Sequence, residues 1–249
     1  MRPGIPLLRS IPVFAQLRPG ALAELDSASE VVAADRGEQL FRQGSLPLVL
    51  FFLLDGLIAL SSSVSDGSTA VVDVIRPMSD LVLASVIGAL PYLQSAHAVT
   101  RSRLLAIQAG PLRALTEREP ELAAPLLHAM SREVRGLVRQ VRDLKLRTTT
   151  QRLGAYLLTL VDDPDARTAE LRLPFEKGLL AARLGCRQEN LSRAFASLRE
   201  LGVETRGARV TLSDIPRLTA YSVPDYLNDP ELTKEGRAAV TQRVREGAG

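Results

Sequence analysis

Three polar residues, Glu189, Ser192 and Arg193, combine a carboxylate, a hydroxyl and a guanidinium at helical spacing. They stand at positions i, i+3 and i+4 of the segment RQENLSRAFASLREL, so a helix there would place them on one face. An arginine donates to O6 and N7 of guanine, a carboxylate accepts from N4 of cytosine, and a hydroxyl serves a base edge or a phosphate. This polar trio therefore predicts contact with the bases of duplex DNA. The alternative is a solvated helix with an ion pair between Glu189 and Arg193, worth about 0.3–0.5 kcal/mol.

Four arginines flank the polar trio, and we expect them to contact phosphates. They are Arg187, Arg199, Arg206 and Arg209. Contacts of this kind fix the position of a protein on the duplex without reading its sequence. On the opposite side of the same helix, Leu191, Phe195 and Leu198 are the candidates for contact with the protein core.

The elements around the polar trio follow the order of a winged helix-turn-helix. The segment QRLGAYLLTLV predicts a helix, LRLPF a short strand, and EKGLLAARLG a helix that ends at Gly185. The helix with the trio ends at Gly202, and VETRGARVTL predicts a hairpin around Gly207. In this arrangement the second helix of the pair enters the major groove. We therefore predict a DNA-binding domain over residues 149–222.

An apolar seam along the preceding helix predicts self-association. Its residues recur at intervals of four, three, four and three, as in a coiled coil, and are Met130, Val134, Leu137, Val141 and Leu144. The other faces of the helix carry arginine and lysine, so the seam has to be buried against something. We predict a homodimerisation helix over residues 118–148. The alternative is an amphipathic helix that packs on its own domain.

Short apolar runs separated by turn residues predict a small β-roll within residues 11–115. The runs EQLFR, VLFFLL, LIALSSSV and TAVVDVI lie between turns such as Asp55-Gly56 and Asp66-Gly67. Glycine supplies the positive φ that tight hairpins require, and this spacing of strands is typical of antiparallel β domains. The segment LRPGALAELDSASEV predicts a leading helix. The fold class is therefore α+β, with residues 223–249 as a C-terminal tail.

Composition and charge exclude several classes of protein. The 249 residues are 46% hydrophobic and 24% charged, which fits a globular chain whose core needs no disulfides. The single cysteine excludes a disulfide framework, and an iron–sulfur cluster held by this chain's own thiolates. Residues 1–100 carry six basic and nine acidic side chains, whereas residues 101–150 carry ten and five, which favours a polyanionic partner. No apolar run reaches the ~18–20 residues of a membrane span, so we expect a cytoplasmic protein with no membrane partner.

Enzymatic motifs are missing from the sequence. It has no Walker A lysine, no H-E-x-x-H, no G-x-S-x-G and no dinucleotide fingerprint, and its two histidines leave little general-base chemistry. We predict neither a catalytic site nor a metal site. A small-molecule-binding protein whose basic half meets a protein partner is the alternative from another class.

The β-roll runs, the dimer-type helix and the segment LLAARLGCRQENLSRAFASLRELG together resemble the Crp/Fnr superfamily of bacterial transcription regulators. The resemblance covers roughly residues 11–220, and the Glu-x-x-Ser-Arg motif is similar to that of the Fnr-type branch, with its FixK-, Dnr- and NnrR-like members. It implies a homodimeric activator that binds an inverted repeat of TTGAT-like half-sites and contacts RNA polymerase. Glu189 and Arg193 would read the G·C pair, and Ser192 a neighbouring thymine. Arg187 departs from the Thr or Ser that relatives carry as helix N-cap.

The same resemblance indicates which signals the β-roll does not sense. Cyclic-nucleotide-binding members hold the ribose with a Gly-Glu pair and the phosphate with an arginine. Here the glutamate position falls near Ala84 and the arginine position near Tyr92 or Gln94, and residues 77–100 contain no Lys, Arg or Glu. A buried phosphate without a cationic partner is strongly disfavoured. The N-terminal cysteines that hold the iron–sulfur cluster of Fnr are absent as well.

Two other sensors stay open as alternatives. A haem-dependent regulator that senses NO or CO would use His97 and His128, or the Met1-Arg2-Pro3 terminus, as axial ligands. Cys186 directly precedes the recognition helix, where the helix dipole and the adjacent Arg187 are expected to lower its pKa and make it a redox switch. The plainer interpretation of these residues is that they are structural.

Overall fold

The structure, a computed structural model, describes residues 1–163, 166–174 and 176–222. The chain divides into two compact units, Met1–Gly136 and Leu137–Gly249, and the division falls within one long helix. The predicted tail over residues 223–249 lies outside the described residues. No helix among the described residues has the length and apolar character that a bilayer crossing requires.

The first unit is built on two four-stranded antiparallel sheets, which confirms the predicted β domain. One sheet has the order β1-β8-β3-β6 and the other the order β2-β7-β4-β5. The strands are β1 Ser29–Ala34, β2 Gln39–Phe41, β3 Val49–Asp55, β4 Ile58–Ser63, β5 Thr69–Ile75, β6 Ser79–Leu81, β7 Ser95–Ala98 and β8 Ser102–Gln108. The glycines of the predicted turns Asp55-Gly56 and Asp66-Gly67 have positive φ. Side chains such as Leu53, Ile58 and Leu104 are fully buried, and they form the core of the roll.

Helices stand before, within and after the strands of this unit. They are α1 Ile5–Ser10, α2 Pro19–Ser27, α3 Leu83–Gly88, α4 Ala109–Arg118 and α5 Pro120–Leu146. The leading helix is confirmed as α2, with its proline at the first helical position. The sequence did not predict α3, which begins after Val82 at a φ of 53°. A β-branched residue rarely adopts this left-handed conformation, so local propensity gives no signal for that turn.

An ion pair between the exposed Arg18 and the buried Glu119 joins the start of α2 to the break between α4 and α5. Arg18 donates from Nε to Oε2 of Glu119 at 2.7 Å and from a second nitrogen to Oε1. The Glu119 side chain is only 5% exposed, so this forked pair supplies the partner that a buried carboxylate needs. The hydrogen bond from Arg18 holds the pKa of Glu119 below its ordinary value.

We expect Arg18→Met to lower the melting temperature more at pH 7 than at pH 3. Because the folded-state pKa of Glu119 is lowered, the pair stabilises the fold above the ordinary carboxyl pKa, and this contribution is lost as pH falls through the folded-state value. Thermal unfolding at both pH values measures the difference. Arg101→Met is the control, because Arg101 pairs with Asp35 at 3.8 Å with both side chains largely exposed. An equal loss for Arg18→Met at the two pH values would contradict this account.

The second unit has the order of elements expected for a winged helix-turn-helix, which confirms that prediction. Its helices are α6 Thr149–Thr159, α7 Lys177–Arg183, α8 Gln188–Leu198 and α9 Ile215–Ser222, and a 3-10 turn spans Arg199–Leu201. Its strands are β9 Ala169–Arg172, β10 Val203–Arg206 and β11 Arg209–Leu212, paired in the order β10-β11-β9. A capping box of Thr148 and Gln151 starts α6. Buried leucines from α6, α7, α8 and α9 form the core.

Candidate nucleic-acid interface

The polar trio lies on the solvent face of α8. Glu189, Ser192 and Arg193 are all exposed. The opposite face of α8 is buried through Leu191, Phe195 and Leu198, none of them more than 5% exposed. Within the described chain Glu189 and Arg193 form no ion pair with each other, so both charges face solvent. The hydroxyl of Ser192 donates to the carbonyl of Gln188 at 3.1 Å and keeps its acceptor lone pairs.

Arg187 stands at the start of α8. This residue is the N-cap, with extended backbone angles, and its side chain makes no capping hydrogen bond. A Ser or Thr at the N-cap would satisfy one free amide of the first turn, a contribution worth about 1 kcal/mol. Arg187 is exposed.

The turn between α7 and α8 is fixed by two contacts that the sequence does not reveal. Gly185 has a φ of +62°, and a Cβ atom on it would lie 2.5 Å from Cδ2 of Leu144 at the end of α5. Arg152 in α6 donates from Nε to the carbonyl of Leu184 at 2.9 Å and from Nη1 to the carbonyl of Arg147 at 2.7 Å. One guanidinium therefore ties the end of α5 to the turn that precedes α8. Nothing in the spacing of the sequence points to Arg152, because the carbonyls that it bridges are 37 positions apart in the chain.

Cys186 lies in this turn, and the expected lowering of its pKa is wrong. The residue is half-buried, and burial raises the pKa of its thiol. Arg152 opposes this shift with a smaller effect. Because a protonated thiol is a poor nucleophile, the environment of Cys186 does not favour a redox switch.

The wing, which is the hairpin of β10 and β11 in the sheet β10-β11-β9, presents two of the predicted phosphate ligands around a two-residue turn. Arg206 and Arg209 flank Gly207-Ala208, and Gly207 has a φ of +62°, as the first position of a type II′ hairpin turn requires. Both arginines are exposed, and Nη1 of Arg209 lies 2.7 Å from Oε1 of Glu170 on β9. Arg199 is exposed in the 3-10 turn after α8. All four predicted phosphate ligands therefore reach solvent.

Comparison with known proteins identifies the two units. Residues 151–221 match the family model of the Crp-like helix-turn-helix domain, and residues 31–119 match that of the cyclic nucleotide-binding domain. A solved structure from Ruegeria pomeroyi, described as a candidate cyclic nucleotide binding protein, is 32% identical, with 89% of this chain and 97% of that chain covered and a TM-score of 0.60. The chain belongs to the Crp/Fnr family of transcription regulators.

A curated relative agrees with this assignment, and a further structure shares the fold. The transcriptional activator protein FnrA of Stutzerimonas stutzeri is 27% identical over 81% of this chain and 85% of its own length. FixK2 from Bradyrhizobium japonicum shares the fold with a TM-score of 0.65 at 18% identity, over 77% of this chain and 96% of that chain. As a Crp/Fnr protein, the chain is a DNA-binding transcription regulator and not an enzyme.

The apolar seam of this Crp/Fnr chain lies along α5 and faces solvent over most of its length. Met130 is half-buried, whereas the other four side chains are 44–59% exposed, namely Val134, Leu137, Val141 and Leu144. The N-terminal part of the same helix packs into the core of the first unit through the buried Leu122 and Leu126. Within the described ranges, Met130 packs against the core of the first unit, and most of the seam stays exposed.

The candidate sensor residues of the Crp/Fnr roll are placed as follows. His97 stands on β7 between Gln39 and Ala59 of the neighbouring strands and is half-buried, while His128 is exposed on α5. The buried Ala96 and Ala98 point to the opposite face of β7 from His97. Within the described ranges, no three His, Cys, Asp or Glu side chains are grouped to hold a metal ion.

The positions that the resemblance assigns to a cyclic nucleotide are placed as follows. Tyr92 is buried, stacks on Phe41 with ring centroids 3.9 Å apart, and donates its hydroxyl to the carbonyl of Val49 at 3.0 Å. Burial raises the pKa of Tyr92 to about 12, so this side chain stays neutral. Ala84 is exposed on α3, and Gln94 is half-buried before β7.

Proposed function

We propose that this regulator binds DNA as a homodimer on an inverted repeat of TTGAT-like half-sites and activates transcription. The observation that carries the proposal is the exposed polar trio on a helix whose opposite face is buried. A helix held in this way presents a rigid set of hydrogen-bond donors and acceptors, and the major groove is wide enough to admit it. The Glu-x-x-Ser-Arg motif supports the half-site, and the activator name of FnrA supports the sign of regulation.

Each residue of the trio has a separate task in the proposed complex. Arg193 donates its two hydrogen bonds to the guanine of the G·C pair, and Glu189 accepts from the paired cytosine. Ser192 contacts the neighbouring thymine. The phosphates around the half-site are held by Arg187, Arg199, Arg206 and Arg209, which fix the register.

The apolar seam supports the homodimer. Residues with this heptad spacing and this exposure are stabilised when a second copy covers them, and a coiled-coil pairing buries all of them at once. The two-fold axis of the pair then places the two recognition helices about one turn of DNA apart. Residues 118–148 thus link the β-roll of residues 11–115 to the DNA-binding domain of residues 149–222.

The proposed partners are duplex DNA, a second copy of this chain and RNA polymerase. Cyclic-nucleotide-binding relatives hold their ligand at the positions of Ala84 and of Tyr92 or Gln94. The side chains found there, above all the buried Tyr92, support a β-roll that does not bind a cyclic nucleotide in that way. A phosphate bound there would be desolvated, and residues 77–100 contain no Lys or Arg to pair with it.

A binding titration with designed duplexes tests the proposal. An inverted repeat of TTGAT with half-site centres about 10–11 bp apart is expected to bind far more tightly than the same duplex with about 5 bp inserted at its centre, because half a turn puts the second half-site on the wrong face. A scrambled duplex is the control. Equal binding of all three duplexes would contradict specific recognition, and no binding of any would favour a protein partner for the basic half.

A further inference from the structure

Three arginines form a row across the exposed face of the wing sheet. In the register of the sheet Arg206 lies directly opposite Arg209, and Arg209 lies directly opposite Arg172 on the third strand. Residues that face each other in this way have side chains on the same side of the sheet, about 4.5–5.5 Å apart at Cβ. The other side of the sheet is apolar and buried, with Leu171 at 7% and Val210 at 0% exposed. The arginine row therefore points to solvent.

The arginine row costs stability within the protein. Like charges directly opposite each other in a sheet repel, and this repulsion destabilises the pairing. Neither Arg172 nor Arg206 makes a side-chain hydrogen bond or ion pair with another residue of the described ranges. Packing inside the protein thus gives no reason for three guanidinium groups at this edge, whereas an anionic surface outside the protein would.

Glu170, beside the row, partly neutralises one of the three arginines. Glu170 stands two residues before Arg172 on β9, on the same face, and is paired with Arg209 at 2.7 Å. Both members of this pair are more than half exposed, so the pair is weak and open to competition by a phosphate. A second carboxylate, Glu204, stands two residues before Arg206 on β10, on the same face and exposed, but it forms no ion pair within the described ranges. Arg172 and Arg206 at the two ends of the row are therefore unpaired within those ranges.

We propose that Arg206, Arg209 and Arg172 together form a cationic ladder that binds the sugar–phosphate backbone of duplex DNA beside the half-site. This inference rests on the proposed function and adds Arg172, which no motif singles out, to the phosphate ligands. Glu170 limits the ladder by holding Arg209 until DNA competes for it. The ladder carries no sequence information, because arginines on phosphates position the protein and do not read bases.

The test is a salt titration of binding with the full chain. Arg172→Thr is expected to weaken binding about tenfold on the inverted repeat and on a random duplex alike, and to reduce the slope of log affinity against log salt by about 1.8 per dimer. Glu170→Gln is expected to tighten binding about two- to fivefold, because it frees Arg209 from an exposed ion pair. Arg103→Thr is the matched control, since it removes an exposed strand arginine from the β-roll. Its affinity and slope should equal those of the parent.

The melting temperature separates a binding role from a structural one. Because Arg172→Thr relieves repulsion in the sheet, we expect its melting temperature to stay the same or rise while its DNA affinity falls. An unchanged affinity and slope for Arg172→Thr, on an inverted repeat that the parent does bind, would overturn the ladder and leave the proposed function intact. Unchanged DNA binding with reduced transcription would also overturn it, in favour of a protein surface. A parent without preference for the repeat would reject the proposed function instead.

Discussion

Replacing Arg193 by alanine is expected to remove most of the preference for the inverted repeat. Each forked contact with guanine discriminates by about 1–3 kcal/mol, and a dimer loses two of them, so the specific affinity should fall by roughly 30-fold to 10⁴-fold. Binding to a random duplex should change little beyond the loss of one charge per subunit. Fluorescence anisotropy with both duplexes measures the two effects side by side.

Ser197→Ala is the matched control for this prediction. Ser197 is exposed on the same helix one turn after Arg193, and its hydroxyl donates to the carbonyl of Arg193 at 3.1 Å. Its substitution leaves the polar trio in place, so specific binding should stay near the parent value. An equal loss of affinity on specific and random duplexes for Arg193→Ala would show that Arg193 holds a phosphate and reads no base.

Replacing Val141 by aspartate is expected to separate the dimer. Val141 is the fourth of the five seam residues and is 52% exposed in the single chain, so the proposed pairing would bury this position. A carboxylate there would be desolvated without a partner. Because two separate monomers would then bind the two half-sites independently, the affinity for the inverted repeat should fall about 10²- to 10⁴-fold. Light scattering and the same titration measure the two effects.

Arg135→Asp is the control, because it places an aspartate on the face of α5 opposite the seam. Arg135 is exposed and lies away from the seam. Its variant is expected to remain a dimer with nearly the parent's affinity, after allowance for the changed charge. A Val141→Asp protein that scatters as a dimer would show that the seam is not the interface.

Local signals made much of the architecture predictable. Glycines at the turns, the proline that opens α2, and the buried and exposed faces of α8 each depend on residues close in sequence. Positions such as Gly185 and Gly207 could be assigned to turns for the same reason. The winged helix-turn-helix and the β-roll follow from the order of such segments.

Features that depend on distant residues could not be predicted. Arg152 acts on carbonyls that only the fold brings together, and Arg172 joins the arginine row only through the strand register. The pKa of Cys186 follows its burial and not the basic residue beside it in the sequence. Helix α3 begins directly after Val82, whose left-handed backbone conformation its own side chain disfavours. In each case tertiary packing outweighs the local signal.

The most direct test of base reading measures whether the effect of replacing Arg193 depends on a single base pair of the half-site. Affinities are measured for the parent and Arg193→Ala on the inverted repeat, and again on a duplex in which the G·C pair of each half-site is replaced by A·T. If Arg193 reads that guanine, its substitution should cost about 1–3 kcal/mol per half-site on the first duplex and close to nothing on the second. Equal costs on the two duplexes would contradict base reading by the polar trio.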